Sequence, residues 1–346
     1  MSGPVRLLVV GSLNMDLTVT VPRLPECGET VLGGDAARTP GGKGANQAVA
    51  ARRLGAEVRM VGLVGDDVFG DQLREAIAAE GVDVAGVETA ADAATGLAMI
   101  MVRSDGENAI AVAPGANAAL GPDTARDAAG GGAEKALLLQ LEIPVDACEA
   151  AAAEARRRGM LVVLNAAPSP RAVDARMARL LRLVDLLIVN EGEAAALYQA
   201  LRRSPGSGAP GHDGVHDGLH DGVHAGVQDG VQAPGRDGAA VAEALRSLGP
   251  DRVVVTLGAD GAAGAGPDGT FRVAAFPVTA VDAVGAGDAF CAALAIAVAD
   301  GTSLPAAARR ACAAGALAVT RRGAQGSLPR AADVDALLAG EPAGRR

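Results

Sequence analysis

Ala136-Leu137-Leu138-Leu139, an Ala-rich segment from Val145 to Arg158 closed by Gly159, Leu161-Val162-Val163-Leu164, and Leu186-Leu187-Ile188-Val189 running into Glu191 to Leu201 follow one another in the middle of the chain. Short apolar runs predict strands and the amphipathic segments between them predict helices, so this stretch reads as a mainly parallel sheet covered by helices on both faces. The same rhythm extends outward. Strands are expected at Leu7 to Val10, Val58 to Val64 and Val253 to Thr256, and helices at Ala45 to Leu54, Asp71 to Glu80, Ala239 to Leu248, Ala286 to Ala299 and Leu304 to Val319. Gly55, Gly81, Gly159 and Gly249 stand where left-handed C-terminal caps are needed.

Two segments break the rhythm, Leu17 to Thr39 and Thr95 to Val112, the second with a turn at Ser104-Asp105-Gly106-Glu107. They predict hairpin strands outside the main sheet. A small β-sheet lid, from about residues 12–40 and 93–115, over the sheet's C-terminal edge is the simplest placement, because ligands of open α/β sheets bind there. Residues 1–340 are then expected to form a single domain, interrupted at 203–238 by a repeat of the type Asp-Gly-Val-His. This repeat holds all four histidines, His212, His216, His220 and His224. It reads as a disordered expansion in a surface loop, with a loose metal-binding tract as the other reading. Catalysis must then proceed without a histidine base.

Composition removes several classes of function. Aromatics are 1% of the 346 residues and the net charge is -10, so neither a stacking platform for single-stranded nucleic acid nor a basic field for a polyanion exists. Cys27, Cys148, Cys291 and Cys312 are far apart without metal-ligand spacing. No apolar run is long enough for a membrane span and the N-terminus lacks a signal pattern, so a cytoplasmic location with reduced thiols is expected.

Three motifs carry chemistry. Pro40-Gly41-Gly42-Lys43-Gly44-Ala45-Asn46-Gln47 is a glycine-rich turn leading into a helix; it is neither a Walker A motif nor a dinucleotide fingerprint. It is either a tight turn before a helix or a set of donors for hydroxyls and phosphate. Asp282-Ala283-Val284-Gly285-Ala286-Gly287-Asp288-Ala289-Phe290 opens a helix with small residues, so its free amides can hold an anion while Asp288 accepts a hydroxyl proton. The alternative is a carboxylate that only complements the helix dipole. Asn190-Glu191-Gly192-Glu193 closes a strand, where its carboxylates fit either a site beside Mg²⁺ and nucleotide phosphates or a capping box.

Together with Gly11-Ser12-Leu13-Asn14-Met15-Asp16, Thr95-Gly96, Pro114-Gly115-Ala116-Asn117, Thr256-Leu257-Gly258 and Val319-Thr320-Arg321-Arg322-Gly323-Ala324-Gln325, these motifs resemble the ribokinase and PfkB carbohydrate kinase family from about Val5 to Leu338. The resemblance implies a ribokinase-like fold, transfer of phosphate from ATP to a primary hydroxyl of a small sugar, D-ribose first among the candidates, and a homodimer formed through the lid. It implies Asn14, Asp16, Gly42, Lys43, Asn46 and Glu142 as sugar ligands, Asp288 as base, and Gly285, Ala286 and Gly287 as the anion hole. Asn190, Thr256, Leu257, Gly258, Gly261, Gly287 and Cys312 correspond to nucleotide-binding positions, with Cys312 where members often place a histidine. Glu193 falls in the Mg²⁺-associated motif, and Asp282, Val284, Ala318, Arg321, Gly323 and Ser327 match a site for a monovalent cation, usually K⁺. Fructose, ketodeoxygluconate or nucleosides are the alternative substrates, and a non-catalytic sugar- or nucleotide-binding regulator is the alternative role. Leu97, Met99 and Met101 either set the size of the sugar pocket or pack the lid.

Overall fold

The structure, a computed structural model, describes residues 3–103, 105, 107–170, 173–203 and 237–340. The four histidines and the body of the repeat lie outside the described residues, as do Ser104 and Gly106 of the expected lid turn.

In chain order, β1 (Arg6–Val10) is followed by β2 (Asn14–Val21), β3 (Ala36–Gly41), α1 (Lys43–Arg53), β4 (Glu57–Gly65), α2 (Val68–Ala79) and β5 (Asp83–Ala90). Next come β6 (Gly96–Arg103), β7 (Asn108–Ala113), α3 (Pro122–Gly130), β8 (Ala136–Gln140), α4 (Val145–Arg157), β9 (Leu161–Asn165), α5 (Ala175–Leu183), β10 (Leu186–Asn190) and α6 (Glu191–Arg203). Beyond residue 237 are α7 (Gly238–Arg246), β11 (Arg252–Thr256), β12 (Ala262–Gly266), β13 (Gly269–Val273), α8 (Ala286–Ala299), α9 (Leu304–Ala318), α10 (Ala324–Ser327) and α11 (Ala331–Leu338).

Nine strands form the main sheet in the order β13-β12-β11-β10-β9-β8-β1-β4-β5. It is parallel from β11 to β5, and β12 alone runs the other way, pairing antiparallel with both β11 and β13. Leu7 to Val10 and Leu137 to Leu139 are wholly buried because each strand is covered on both faces. On one face Leu7, Val9 and Leu138 pack with α1, α8 and α9; on the other, Leu8, Val10, Leu137 and Leu139 pack with α4 and α5. Alanine dominates the helix side of both layers, so the helices sit close to the sheet without aromatic filling. The predicted caps Gly55, Gly81, Gly159 and Gly249 all have positive φ.

The second sheet has the order β3-β2-β6-β7. Asp16 pairs with Ala98 and Leu17 with Met99, so alternation puts Ala98 and Ile100 on the lid face that carries Asp16. Leu97, Met99 and Met101 lie on the opposite face. Of the two readings left open for these three residues, this placement on the face away from Asp16 favours packing of the lid.

Asp67 ties this lid to the main sheet. It caps α2 by accepting from the Phe69 and Gly70 amides at 3.0 and 2.9 Å, and it accepts from the Thr95 amide and hydroxyl at 2.8 and 2.7 Å. Thr95 Oγ1 in turn accepts from Gly65 N at 2.9 Å, at the end of β4. The next residue, Gly96, must be glycine, since a Cβ there would lie 2.2 Å from both Asn117 Nδ2 and Asn14 Oδ1. Asp67→Ala is expected to cost about 1–3 kcal/mol, the loss of a helix cap and of two bonds to Thr95, read as a lower urea midpoint at constant m-value.

Candidate active site

The site begins where β1 ends and α1 starts. Gly11 and Gly44 let these two backbones touch: a Cβ on Gly44 would sit 2.5 Å from Ser12 N, and one on Gly11 would sit 2.8 Å from the Gly44 Cα. Gly42 has φ 88°, and a Cβ there would meet Asn14 N at 2.6 Å. Gly41 leaves room for the Asp16 carboxylate, which a Cβ would approach to 2.2 Å. The glycines of the turn thus serve close contact with the segment 11–16, and what they frame is a set of polar side chains.

Glu142, just after β8, gathers this set. Its Oε2 accepts from Ser12 Oγ at 2.5 Å, from Lys43 N at 3.0 Å and from Asn14 Nδ2 at 3.4 Å. Asn117 orients Asn14 from the other side, donating to its Oδ1 at 2.8 Å and bonding both the amide and the carbonyl of Leu13. Asp16 and Asn46 are buried beside them.

Asp288 reaches the same cleft from the first turn of α8. Gly285, the N-cap, is left-handed with φ 81° and packs on Ala324 O, which a Cβ would approach to 2.9 Å. Asp288 Oδ2 accepts from Asn46 Nδ2 at 3.0 Å and Oδ1 accepts from Gln47 Nε2 at 3.0 Å. Around Gly287 a Cβ would meet nothing within 4 Å, so there is free space beside this first turn. Of the expected anion-hole residues, Ala286 donates its amide in a long turn bond to Ala283 O at 3.3 Å.

Electrostatics are crowded. Burial first, then the charges of Glu142 and Asp288, push the Asp16 carboxyl up to about 7. Burial likewise raises Asp288, with Lys43, Gln47 and Asn46 acting in the opposite direction. Burial would lower the Lys43 ammonium, but Asp288, Glu142 and Glu193 outweigh it and hold it above the ordinary lysine value. Lys43 is therefore a lasting cation facing several carboxylates.

On the far side of α8, β10 and β11 end side by side, with Asn190 opposite Thr256. Asn190 and Glu193 form a reciprocal capping box: Glu193 N donates to Asn190 Oδ1 at 2.8 Å and Asn190 N to Glu193 Oε2 at 2.9 Å. Leu257 N donates to Gly261 O at 2.8 Å, and Gly258 and Gly261 both have positive φ. Cys312 is buried in α9, and burial pushes its thiol up to about 11 against the pull of Arg309, which stacks over Phe276 at 5.0 Å. The thiol stays protonated and is no nucleophile.

Asp282, Val284, Gly323 and Ser327 meet at the base of α8. Asp282 accepts from Val284 N at 3.0 Å and from Gly323 N at 2.8 Å, and Ser327 Oγ donates to Val284 O at 3.3 Å and to Ala324 O at 2.8 Å. Ala318 O accepts from Arg321 N at 3.2 Å, and the Arg321 side chain is exposed. Among the described residues no three His, Cys, Asp or Glu side chains converge as a metal cluster. A metal here would rely on carbonyls, water or a ligand's own oxygens.

Sequence reasoning missed Ser12, Gln47, Asn117, Gln140 and Asn165 as parts of the site. Gln140 and Asn165 had a readable signal, because each closes an apolar strand at its C-terminal end as Asn190 does. Gln47 and Asn117 were visible inside motifs but had no role there.

A family model described as pfkB family carbohydrate kinase matches residues 5–331. The chain is 35% identical to the ribokinase of Haemophilus influenzae over 324 residues, 93% of this chain and 95% of that one. Among solved structures it is similar to ribokinase of Thermotoga maritima, with a TM-score of 0.78, 30% identity and coverage of 97% and 99% of the two chains. It is also similar to Arabidopsis thaliana ribokinase complexed with ribose and ATP, with a TM-score of 0.75, 30% identity and coverage of 98% and 99%.

Asp16 has a consequence for stability. Its folded pKa of about 7 lies above the ordinary 3.8, so the native state binds its proton more tightly and loses stability as pH rises through that window. Asp16→Asn removes this cost. The ligand-free variant is expected to be more stable than the parent at pH 8 by about 1–4 kcal/mol, the gain fading towards pH 4 in urea titrations.

Proposed function

The chain belongs to the pfkB family of carbohydrate kinases, and from that premise we propose that it transfers the γ-phosphoryl group of ATP to the 5-hydroxyl of D-ribose, yielding D-ribose 5-phosphate and ADP. The observation that carries this reading is the buried Asp288 carboxylate in the first turn of α8, which accepts from Asn46 and Gln47 beside a cleft of polar side chains and next to the open space at Gly287. Identity to ribokinases over nearly the whole chain supports the choice of sugar.

In this mechanism Asn14, Asp16, Gly42, Lys43, Asn46 and Glu142 hold the sugar hydroxyls and turn the 5-hydroxyl towards Asp288. The hydroxyl oxygen forms the new bond to the γ-phosphorus, its proton passes to Asp288, and the bond from that phosphorus to the β–γ bridging oxygen breaks. The amides of Gly285, Ala286 and Gly287 stabilise the phosphoryl oxygens as charge shifts, aided by the positive end of α8. Asn190, Thr256, Leu257, Gly258, Gly261, Gly287 and Cys312 line the nucleotide side.

The residues present fit the family's ions. Mg²⁺, when bound with ATP, would neutralise phosphate charge, with Glu193 as the nearby carboxylate and phosphate oxygens and water as its other ligands. The carboxylate of Asp282, the carbonyls of Val284, Ala318, Arg321 and Gly323 and the hydroxyl of Ser327 are hard oxygen donors of the kind a K⁺ ion takes, and the bonds among them already draw the two loops together. Ile110 and Val112 are 54% and 48% exposed on the lid face that carries Asp16, an apolar surface that a second copy of the chain would cover.

The test is ATP consumption by the purified protein with Mg²⁺ and K⁺ across ribose, deoxyribose, fructose, ketodeoxygluconate and adenosine. Ribose is expected to give the highest kcat/KM, and Asp288→Asn to lower kcat by about 10²–10⁴-fold, the usual worth of a positioned base. Preference for another member of the panel would move the substrate and keep the mechanism. Turnover that does not depend on Asp288 would remove the base from the mechanism.

A further inference from the structure

We infer that Gln47 is a positioning residue for Asp288, held in its working orientation by Gln140 and Asn165. This rests on the kinase reading and extends it to residues that touch no substrate. Gln47 and Gln140 are fully buried, yet both are polar, and each sits where a hydrophobic side chain would fill the same space.

The direction of the bonds is fixed by chemistry. An ionised carboxylate only accepts, so Gln47 must turn its NH₂ group towards Asp288. One N–H goes to Asp288 Oδ1 at 3.0 Å and Asn165 Oδ1 takes the other at 3.1 Å. The Gln47 carbonyl oxygen then faces Gln140, whose Nε2 donates to it at 2.7 Å. Gln140 and Asn165 end the adjacent strands β8 and β9 and are register partners. The chain of amides therefore runs from the rigid sheet, through α1, to the first turn of α8. Asn46 holds the other carboxylate oxygen at 3.0 Å, so two neighbouring residues of α1 set the plane of the base.

Each amide bond to the ionised form favours it. The other groups facing Asp288 are Lys43 on α1, which favours ionisation, and Glu142, Asp16 and the Cys291 thiol one turn along α8, with Glu193 facing Lys43 and Cys291. Removing the Gln47 amide leaves these in place, so the Asp288 carboxyl becomes harder to ionise and its orientation is no longer fixed.

The experiment compares Gln47→Met with the parent in two ways: pH profiles of kcat, and titration of the Asp288 carboxyl by ¹³C NMR in the ligand-free protein. With Gln47→Met, kcat is expected to fall about 10- to 100-fold with KM for sugar and ATP changed less than about threefold, and the acid limb and the carboxyl titration to move up by about one pH unit. Gln140→Met leaves Gln47 beside the base but frees its carbonyl, and carries the test if the first variant does not fold; it is expected to shift both readouts the same way by a smaller amount. An unmoved carboxyl titration in a folded variant, or a loss confined to KM, would overturn the inference. The kinase reading fails separately, as parent turnover indifferent to Asp288→Asn, and the NMR titration remains readable in that case.

Discussion

A carboxylate taken out of water has to be held by hydrogen bonds, and the arrangement around Asp288 is organised by that requirement. Its two oxygens are met by Asn46 and Gln47, consecutive residues on α1, while Asp288 itself belongs to α8. Two helices distant in sequence must therefore face each other at the end of the sheet. The small residues between them allow it: Ala45, Ala48 and Ala289 are fully buried. The glycines at 11, 42 and 44 follow from the same demand, because α1 can begin at this point only if its backbone lies directly on the segment leaving β1.

That closeness sets function against stability. Asp16, Glu142 and Asp288 share a cleft in which Lys43 is the cation, and the strain appears as a carboxyl pushed up to about 7 at Asp16. A sequence chosen for stability alone would not assemble these groups, since like charges in a desolvated space oppose folding. In the proposed kinase a polyhydroxylated ligand would resolve the conflict, for each hydroxyl can donate to a carboxylate that protein donors leave unmet. The unpartnered, buried Asn46 Oδ1 is a further acceptor of this kind.

Elements whose own residues demanded a conformation were legible in the sequence. β1, β8, β9, β10 and β11 are apolar runs read as buried strands, and α1, α2, α4 and α7 are each followed by a glycine with positive φ. β12 was not legible, because Ala-Ala-Gly-Ala-Gly has little strand preference and is extended only by pairing with β11 and β13. β5 was hidden by polar residues on its exposed side, as expected at a sheet edge. At the site, the motif residues were visible one at a time. The pairing of Asn117 with Asn14, or of Gln47 with Gln140, joins positions far apart in the chain and no local pattern encodes it. The orientation of the lid stayed open for a simpler reason: with side chains alternating across a strand, choosing between Leu97 and Ala98 as the residue beside Asp16 needs the register, which only pairing with β2 supplies.

The same helix that orients the base also reaches the loop beneath it. At the far end of α1, Arg53 donates to Gln325 O at 2.6 Å and Leu328 O at 3.0 Å while its other nitrogens pair with Glu80. Residues 323–327 bond in turn to Asp282 and Val284, which lead directly into Gly285 and α8. α1 is thus fastened to α8 twice, once through amides at its start and once through a guanidinium at its end. A rigid helix pinned at both ends transmits displacement of either pin to the other. Asp282 and Val284, which lead into the base, thus share their anchoring to α1 with residues 323–327.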